Sequence, residues 1–169
     1  MRFPRWYDFI PNRIYDYQLH HSKKGTKFSY DGLTLKAKAV DIYDGDTLTL
    51  IFRYRGVLQQ HSCRMLSYDS PEMKPPKNKA GRDLEISAAK EAKDALAKLV
   101  ENRVLTVKCH KFDKYGRILV TLYITQKAYG FIPFCCSTSI DVNQYMIDNE
   151  YGLPYDGGTK TIVDYTTEE

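Results

Sequence analysis

The sequence lacks the patterns that mark a membrane protein, a secreted disulfide-bonded protein or a zinc protein. No run approaches the ~20 consecutive apolar residues that a membrane-spanning helix needs, and residues 1–8 contain no apolar core of the signal-peptide type. The four cysteines form no CxxC pair and no Cys/His cluster at zinc spacing. We therefore expect no membrane partner, and an intracellular, reducing setting is the default expectation.

Charge and cysteine placement are equally ordinary. A net charge of +4 over 169 residues is mildly basic and favours an anionic partner only weakly. Cys63 and Cys109 lie in strand-like runs and are predicted to be buried thiols, whereas the adjacent Cys135 and Cys136 cannot readily bond each other. The length predicts one domain with a real core, and a monomer is the default.

Aromatic residues are abundant, with 14 tyrosines in the chain. Residues 1–30 contain too many apolar rings for a disordered tail, although they are irregular and contain proline. Two interpretations stay open for this segment: an extension that packs on the outside of the domain, or an arm that binds a protein partner or nucleic acid. Residues 31–158 are predicted to form the domain itself and residues 159–169 a C-terminal tail.

Five short runs alternate apolar and polar residues with the period of two that is typical of β-strands. They are Leu33–Ile42, Leu48–Tyr54, Val57–Met65, Val104–His110 and Ile118–Ile124. The period becomes helical over Asp83–Val100, where the apolar stripe places Leu84 inside and Glu85 outside. Ser139 or Asp141 is suited to cap a short helix that runs through Ile147. This order predicts a mainly β (α+β) fold: a five-stranded OB-fold barrel with a long helix between strands three and four and a short C-terminal helix.

Acidic residues lie just before and just after the predicted hairpin of strands two and three. Asp46 precedes strand two, and Asp69 and Glu72 follow strand three, which also contains Arg64. If the strands pair, three carboxylates face one spot, where they repel each other unless a cation neutralises them. All-oxygen ligands favour a hard ion such as calcium or magnesium over zinc.

Three blocks in this order resemble the signatures of the staphylococcal nuclease (thermonuclease) family. They are Asp44-Gly45-Asp46-Thr47, then Arg64 with Asp69-Ser70-Pro71-Glu72, then Asp113-Lys114-Tyr115-Gly116-Arg117. Each block alone is an ordinary turn, but the three in sequence, with the strand and helix pattern between them, are specific. The resemblance covers about residues 33–155.

The resemblance implies a calcium-dependent hydrolase that cleaves single-stranded or locally opened DNA and RNA at the 5′ P–O bond and leaves 3′-phosphate ends. It implies calcium ligands at Asp46, Asp69 and the Ser70 carbonyl. Asp44 is implied to lie next to these ligands without binding the ion directly. By the same resemblance Glu72 holds the attacking water, and Arg64 and Arg117 bind the scissile phosphate. The implied substrate contacts are Lys114, Tyr115 and the base-stacking Tyr155.

The sequence departs from the family pattern at the extension, at an insertion over residues 126–138 and at the C-terminal aromatics, where Tyr151 is a second possible counterpart. A function of another class also remains open. The same fold occurs as an inactive module that binds nucleic acid or a protein partner, and such modules usually lose one or more of the acidic and arginine positions.

Overall fold

The computed structural model describes residues 17, 19–25, 27–126, 138–158, 163 and 165. The strands are β1 (Thr34–Ile42), β2 (Thr47–Tyr54), β3 (Val57–Met65), β4 (Tyr68–Asp69), β5 (Leu105–Phe112), β6 (Ile118–Gln126), β7 (Thr138–Asp141) and β8 (Leu153–Pro154). The helices are α1 (Arg82–Val100) and α2 (Val142–Asp148).

Five strands close into a barrel. The sheet runs in the order β3-β2-β1-β5-β6-β7, and a parallel pairing of β3 with β6 joins the two sides. The helix α1 lies in the chain between β3 and β5, as the sequence predicts. The fold is therefore a five-stranded OB-fold barrel with an α+β arrangement and additional short strands.

The barrel interior is apolar because inward positions alternate along each strand. Leu48, Leu50 and Phe52 of β2 are fully buried, as are Cys63 and Cys109. Burial raises the pKa of the Cys63 thiol to about 12 and that of the Cys109 thiol to about 11. The prediction of buried thiols at these two positions is confirmed, whereas Cys135 and Cys136 lie outside the described residues.

Tyr30 joins the end of the aromatic extension to the core. Its side chain is 1% exposed, and its hydroxyl contacts Gln59 and, at 2.8 Å, His61 Nε2. Its ring lies 5.4 Å from that of Phe52 in an edge-to-face arrangement. Residues 1–16 lie outside the described part of the chain, so the partner-binding interpretation of the extension stays a prediction.

The buried face of α1 differs from the predicted one in the first turn of the helix. Its buried residues are Glu85, Ala89, Ala92, Leu96 and Val100. Leu84 is 40% exposed, whereas Glu85 is 3% exposed. The prediction that placed Leu84 inside and Glu85 outside was therefore wrong. Ion pairing offsets the cost of burying the Glu85 carboxylate, because Lys79 Nζ lies 2.7 Å from its Oε2.

The C-terminal part of the domain is fixed by one buried amide. The Asp141 side chain caps α2 by accepting from Gln144 N at 3.1 Å, as one of the two predicted caps. Asn143 then donates to Leu66 O and Val120 O and accepts from Leu122 N, all within 3.0 Å. This amide ties α2 to β6 and to the turn after β3. The short strands β4, β7 and β8 were not predicted, and the predicted insertion lies largely outside the described residues.

Neither α1 nor α2, within the part of the chain described here, is long and apolar enough to cross a membrane.

The turn before β2 lies against both the helix and the loop after β3. A Cβ atom at Gly45 would lie 2.8 Å from Ala92 Cβ on α1 and 2.7 Å from Ser70 Cβ. The Asp44-Gly45-Asp46-Thr47 block forms a turn, as predicted, but Gly45 does not have the positive φ that would itself require glycine. Glycine is needed here because three segments approach closely, so the turn and Ser70 are held at a fixed separation.

We predict that Gly45→Ala lowers the free energy of unfolding by about 1–3 kcal/mol, because the added methyl group must displace Ser70 or Ala92. Urea unfolding followed by circular dichroism measures this loss. Gly25→Ala is the matched control, since nothing lies within 4 Å of a Cβ at that position. Equal stability of the two variants would contradict the close packing inferred at Gly45.

Candidate functional site

The pairing of β2 with β3 brings the start of one strand beside the end of the other. Thr47 lies opposite Arg64 in an antiparallel register, and Met65 N donates to Asp46 O at 2.8 Å. The hairpin predicted from the sequence is thus present. It brings the acidic turn before β2 next to the arginine near the end of β3.

Asp44 shapes this acidic turn. Its Oδ1 accepts from Asp46 N at 3.1 Å and from Thr47 N at 2.7 Å, which is the geometry of an Asx turn. The turn buries Asp46 to 4% exposure. Burial raises the pKa of the Asp46 carboxyl to about 7, and the charge of Asp44 adds to the rise, while Arg64 and the Thr47 hydroxyl oppose it. The site therefore holds an acidic group that a further positive charge would stabilise in its ionised form.

Arg64 joins two acidic residues from separate segments. Its Nη2 lies 2.6 Å from Asp46 Oδ2 and also forms an ion pair with Asp69 Oδ1. Burial alone would lower the pKa of Arg64, but the two aspartates outweigh it and raise the pKa above its usual value. Asp46 and Asp69 thus lie on the same side of the barrel, with their oxygens directed at one nitrogen.

A C-terminal segment positions Asp69. The strand β4 pairs with β8, with Asp69 opposite Leu153, and the Tyr68 hydroxyl donates to Tyr151 O at 3.0 Å. A Cβ at Gly152 would lie 2.4 Å from Asp69 O, so the two backbones are in direct contact. The Tyr151 side chain is partly buried and packs against the core.

The turn between β5 and β6 supplies the second arginine. Asp113 Oδ2 accepts from Arg117 Nε at 2.7 Å, and Asp113 Oδ1 accepts from the backbone N–H groups of Tyr115 and Arg117. Arg117 Nη1 in turn donates to the Thr47 hydroxyl at 3.1 Å, and that hydroxyl donates to Asp46 Oδ1 at 2.7 Å. A continuous polar chain therefore links Arg117 to the acidic turn.

One open cavity of about 340 Å³ collects these side chains. Nine of the predicted site residues line it: Asp44, Asp46, Arg64, Ser70, Glu72, Lys114, Tyr115, Arg117 and Tyr155. Tyr43 and Pro71 complete the lining. Asp69, the remaining predicted residue, lines an adjoining cavity of similar volume and reaches the first one through its ion pair with Arg64.

Aromatic rings lie beside the cations of this cavity. The Arg64 guanidinium carbon is 5.8 Å from the Tyr155 ring centroid, and Tyr115 lies within 5.5 Å of both Lys114 Nζ and the Arg117 guanidinium carbon. Tyr115 is 71% exposed and Tyr43 is 57% exposed, so both rings are accessible to a ligand. Cations that bind phosphate and rings that stack on bases are the combination found in single-strand binding sites.

The donor chemistry of the site suits a hard divalent ion. Asp46 Oδ2 and Asp69 Oδ1 both contact Arg64 Nη2, so these two carboxylate oxygens lie close to each other. Within the described ranges, no three His, Cys, Asp or Glu side chains are gathered so that they could hold a metal between them. The ligand set that the resemblance implies needs only two carboxylates, because its third protein ligand is a backbone carbonyl. The residues present therefore fit calcium by type.

Sequence reasoning missed three residues of this region. Asp113 belonged to a predicted block, but its contact with Arg117 was not assigned, although a spacing of four residues across a turn could have indicated it. Glu85 was placed on the wrong helix face, although its spacing to Ala89 and Ala92 fits the buried stripe. Tyr43 gave no signal of its own, since a lone aromatic residue before a turn is common.

A closed OB-fold barrel with a cleft of carboxylates, guanidiniums and tyrosines defines a module suited to polyanionic ligands. The profile of the staphylococcal nuclease homologue family matches residues 62–156, which is more than half of the chain. The chain belongs to this family, and it is accordingly a nuclease-like or nucleic-acid-binding module. The matched segment includes the second and third signature blocks, while strand pairing joins the Asp44–Thr47 block to it. No curated protein matches the chain.

Asp113 gives a pH-dependent prediction. Burial favours its neutral form, but hydrogen bonds from Arg117 and the backbone outweigh this and lower the pKa of Asp113 below its usual 3.8. A lowered pKa in the folded state means that the carboxylate stabilises the fold above pH ~4, and that this contribution is lost as the pH falls through the folded-state pKa. Asp113→Asn should therefore cost about 1 kcal/mol at pH 7.

Urea unfolding of both proteins between pH 2 and pH 7 measures this difference, which should shrink towards the acid end. Asp94→Asn, on an exposed position of α1, is the control. A difference that stays constant across the range would show that the Asp113 charge contributes nothing.

Proposed function

We propose that this protein is a calcium-dependent phosphodiesterase that hydrolyses DNA and RNA at the 5′ P–O bond and leaves 3′-phosphate ends with weak sequence specificity. The observation that supports this most is the single cleft in which Asp46, Arg64, Glu72 and Arg117 meet. Phosphodiester hydrolysis needs a carboxylate that can direct water and cations that match the phosphate, and this cleft holds both.

Calcium would be held by Asp46, Asp69 and the Ser70 carbonyl, with Asp44 fixing the turn that positions Asp46. When bound, it supplies a charge that neutralises a phosphate oxygen and orients the attacking water. The raised pKa of Asp46 supports this assignment, because a carboxyl group that burial disfavours as an anion gains from a nearby cation.

The arginines bind the phosphate in this proposal. A guanidinium is always protonated and presents parallel N–H donors, which match two phosphate oxygens at once. Asp113 holds the Arg117 guanidinium by its Nε, so that its remaining nitrogens are directed towards Thr47 and the cleft. Glu72, exposed on the wall of the same cleft, holds and polarises the water that attacks the phosphorus.

The tyrosines and Lys114 set the substrate class. Lys114 and Tyr115 contact a neighbouring phosphate, and Tyr155 stacks on a base. A base can reach these rings only when it is unpaired, so the substrate is single-stranded or locally opened nucleic acid.

One observation favours a function of a second class, an inactive module that binds nucleic acid or a protein partner. Arg64 forms ion pairs with both proposed calcium ligands, Asp46 and Asp69. A guanidinium held there would compete with a metal ion for the same oxygens. Residues 1–30 are the candidate segment for a protein partner in either class.

Calcium addition separates the two functions. We expect the purified protein to cleave single-stranded DNA with calcium and not with chelator, and to leave 3′-phosphate ends. Calcium binding measured by isothermal titration calorimetry should weaken in Asp46→Asn and stay unchanged in the control Asp94→Asn. Binding of DNA without calcium-dependent fragments would favour the inactive module, and an unchanged titration of Asp46→Asn would remove this residue from the ligand set.

Two substitutions test the assigned roles in turnover. Arg64→Lys keeps the charge but loses the planar donor pair, and Glu72→Gln loses the carboxylate, so each should lower kcat by roughly 10²–10³. Steady-state cleavage of a labelled oligonucleotide measures both, with circular dichroism to check the fold. The controls are Arg103→Lys and Glu91→Gln, both at exposed positions. Near-normal turnover in either test variant would contradict its role.

A further inference from the structure

The helix α1 carries a buried acidic residue that faces the loop with Glu72. Glu85 lies in the first turn of α1, and its side chain is almost fully buried, with 4% exposure. A buried carboxylate is costly unless it is paired and hydrogen-bonded, so its surroundings show what it is held against. Both of its oxygens contact the loop between β4 and α1.

One oxygen contacts the backbone of the proposed catalytic residue. Glu72 N donates to Glu85 Oε1 at 3.5 Å, a long contact at the limit of a hydrogen bond. The other oxygen, Oε2, forms the 2.7 Å ion pair with Lys79 Nζ. Since Glu72 and Lys79 lie seven positions apart in the same loop, the Glu85 carboxylate joins two points of that loop to the helix.

The Lys79 end of this arrangement is supported from a third segment. Lys79 Nζ lies 5.5 Å from the Tyr165 ring centroid. A Cβ at Gly81 would lie 2.7 Å from the Tyr165 backbone, so the end of the loop is packed against this residue. Lys79 is therefore committed to an ion pair within the domain, although its side chain stays partly exposed.

The same helix face also holds the acidic turn. Glu85, Ala89 and Ala92 lie on the buried face of α1, and Ala92 is the residue against which Gly45 packs. One rigid helix therefore contacts the segment that carries Asp46 and the segment that carries Glu72. Their separation is fixed through α1 even though they have no strand pairing with each other.

We propose that Glu85 is a positioning residue, whose ion pair with Lys79 fixes the backbone of Glu72 relative to the cleft. This inference rests on the proposed function for the role of Glu72, but the positioning itself does not depend on it. Glu85 does not line the cavity that holds the arginines, so it acts through the loop and not on the substrate.

The decisive variant removes both charges and retains the volume. Glu85→Met combined with Lys79→Met replaces the ion pair by apolar side chains of similar length, which folded proteins commonly tolerate. The single variant Glu85→Gln, which keeps a side-chain acceptor for Glu72 N, tests the ion pair alone. Glu91→Gln combined with Lys90→Met, at exposed positions of the same helix, is the matched control.

Amide hydrogen exchange is the first measurement, because it needs neither calcium nor substrate. We expect exchange over residues 72–74 to accelerate about tenfold or more in the double methionine variant, while exchange in the barrel strands stays unchanged. The control variant should match the original chain. Unchanged exchange in residues 72–74 would overturn the proposal, whatever the protein does to nucleic acid.

Steady-state cleavage is the second measurement. A displaced Glu72 should lower kcat by about 10²-fold and leave KM within about twofold, because the phosphate-binding arginines are untouched. A merely destabilised fold would also lower the apparent kcat at unchanged KM, because fewer molecules are active, so kcat is expressed per folded molecule, with the folded fraction measured by circular dichroism. A positioning role requires that this corrected kcat still falls. Accelerated exchange with unchanged kcat would overturn the proposal too.

The two failures are distinguishable. If the original chain cleaves nothing with calcium, the proposed function fails, and hydrogen exchange alone still decides whether Glu85 positions the loop. If the original chain cleaves normally and the double methionine variant matches it in both measurements, the function stands and the positioning role is excluded.

Discussion

The register between β2 and β3 is the constraint on which the site depends. Placing Thr47 opposite Arg64 sets the acidic turn beside the arginine. A slip of β3 by one residue would move the Arg64 side chain to the opposite face of the sheet and expose the core residues Cys63 and Met65 of the same strand to solvent. The hydrophobic core thus enforces the geometry of the polar cleft, because the same alternation of side chains serves both.

The acidic side chains around Arg64 outnumber the basic ones. Arg64 forms ion pairs with Asp46 and Asp69, and the negative charge of Asp44 also acts on it. Arg117 forms a separate ion pair with Asp113. Buried carboxylates that lie close together destabilise the fold. The pKa of Asp46 is raised because burial and the charge of Asp44 both disfavour its ionised form. Groups that are costly to hold together in this way are characteristic of functional sites, where a ligand supplies the missing charge.

Much of this structure could be predicted from the sequence, and the successes have a common cause. The barrel strands and α1 have regular periods, and the Asp141 cap is a local signal that needs no tertiary information. The cleft residues could be brought together because antiparallel pairing of one hairpin is enough to do so. The resemblance then added Arg117, whose distance from the hairpin in the sequence leaves no local signal.

The failures also have a physical cause. The buried face of α1 was predicted from hydrophobicity, which excludes a carboxylate from the interior. Glu85 is nevertheless buried, because the ion pair with Lys79 offsets the free-energy cost of burying its charge. The pairing of β4 with β8 spans two residues on each strand, too few for any period to be detected. In both cases a partner far away in the sequence decided the outcome.

The β4–β8 pairing has a consequence for how the cleft comes into being during synthesis. Asp69 is held by Leu153 and by the backbone at Gly152, which lie more than 80 positions further along the chain. A ribosome releases the barrel strands before these residues. A nascent polypeptide can therefore build its barrel while one wall of the cleft is still missing, and the acidic pair around Arg64 is completed only after residues 152–154 have emerged.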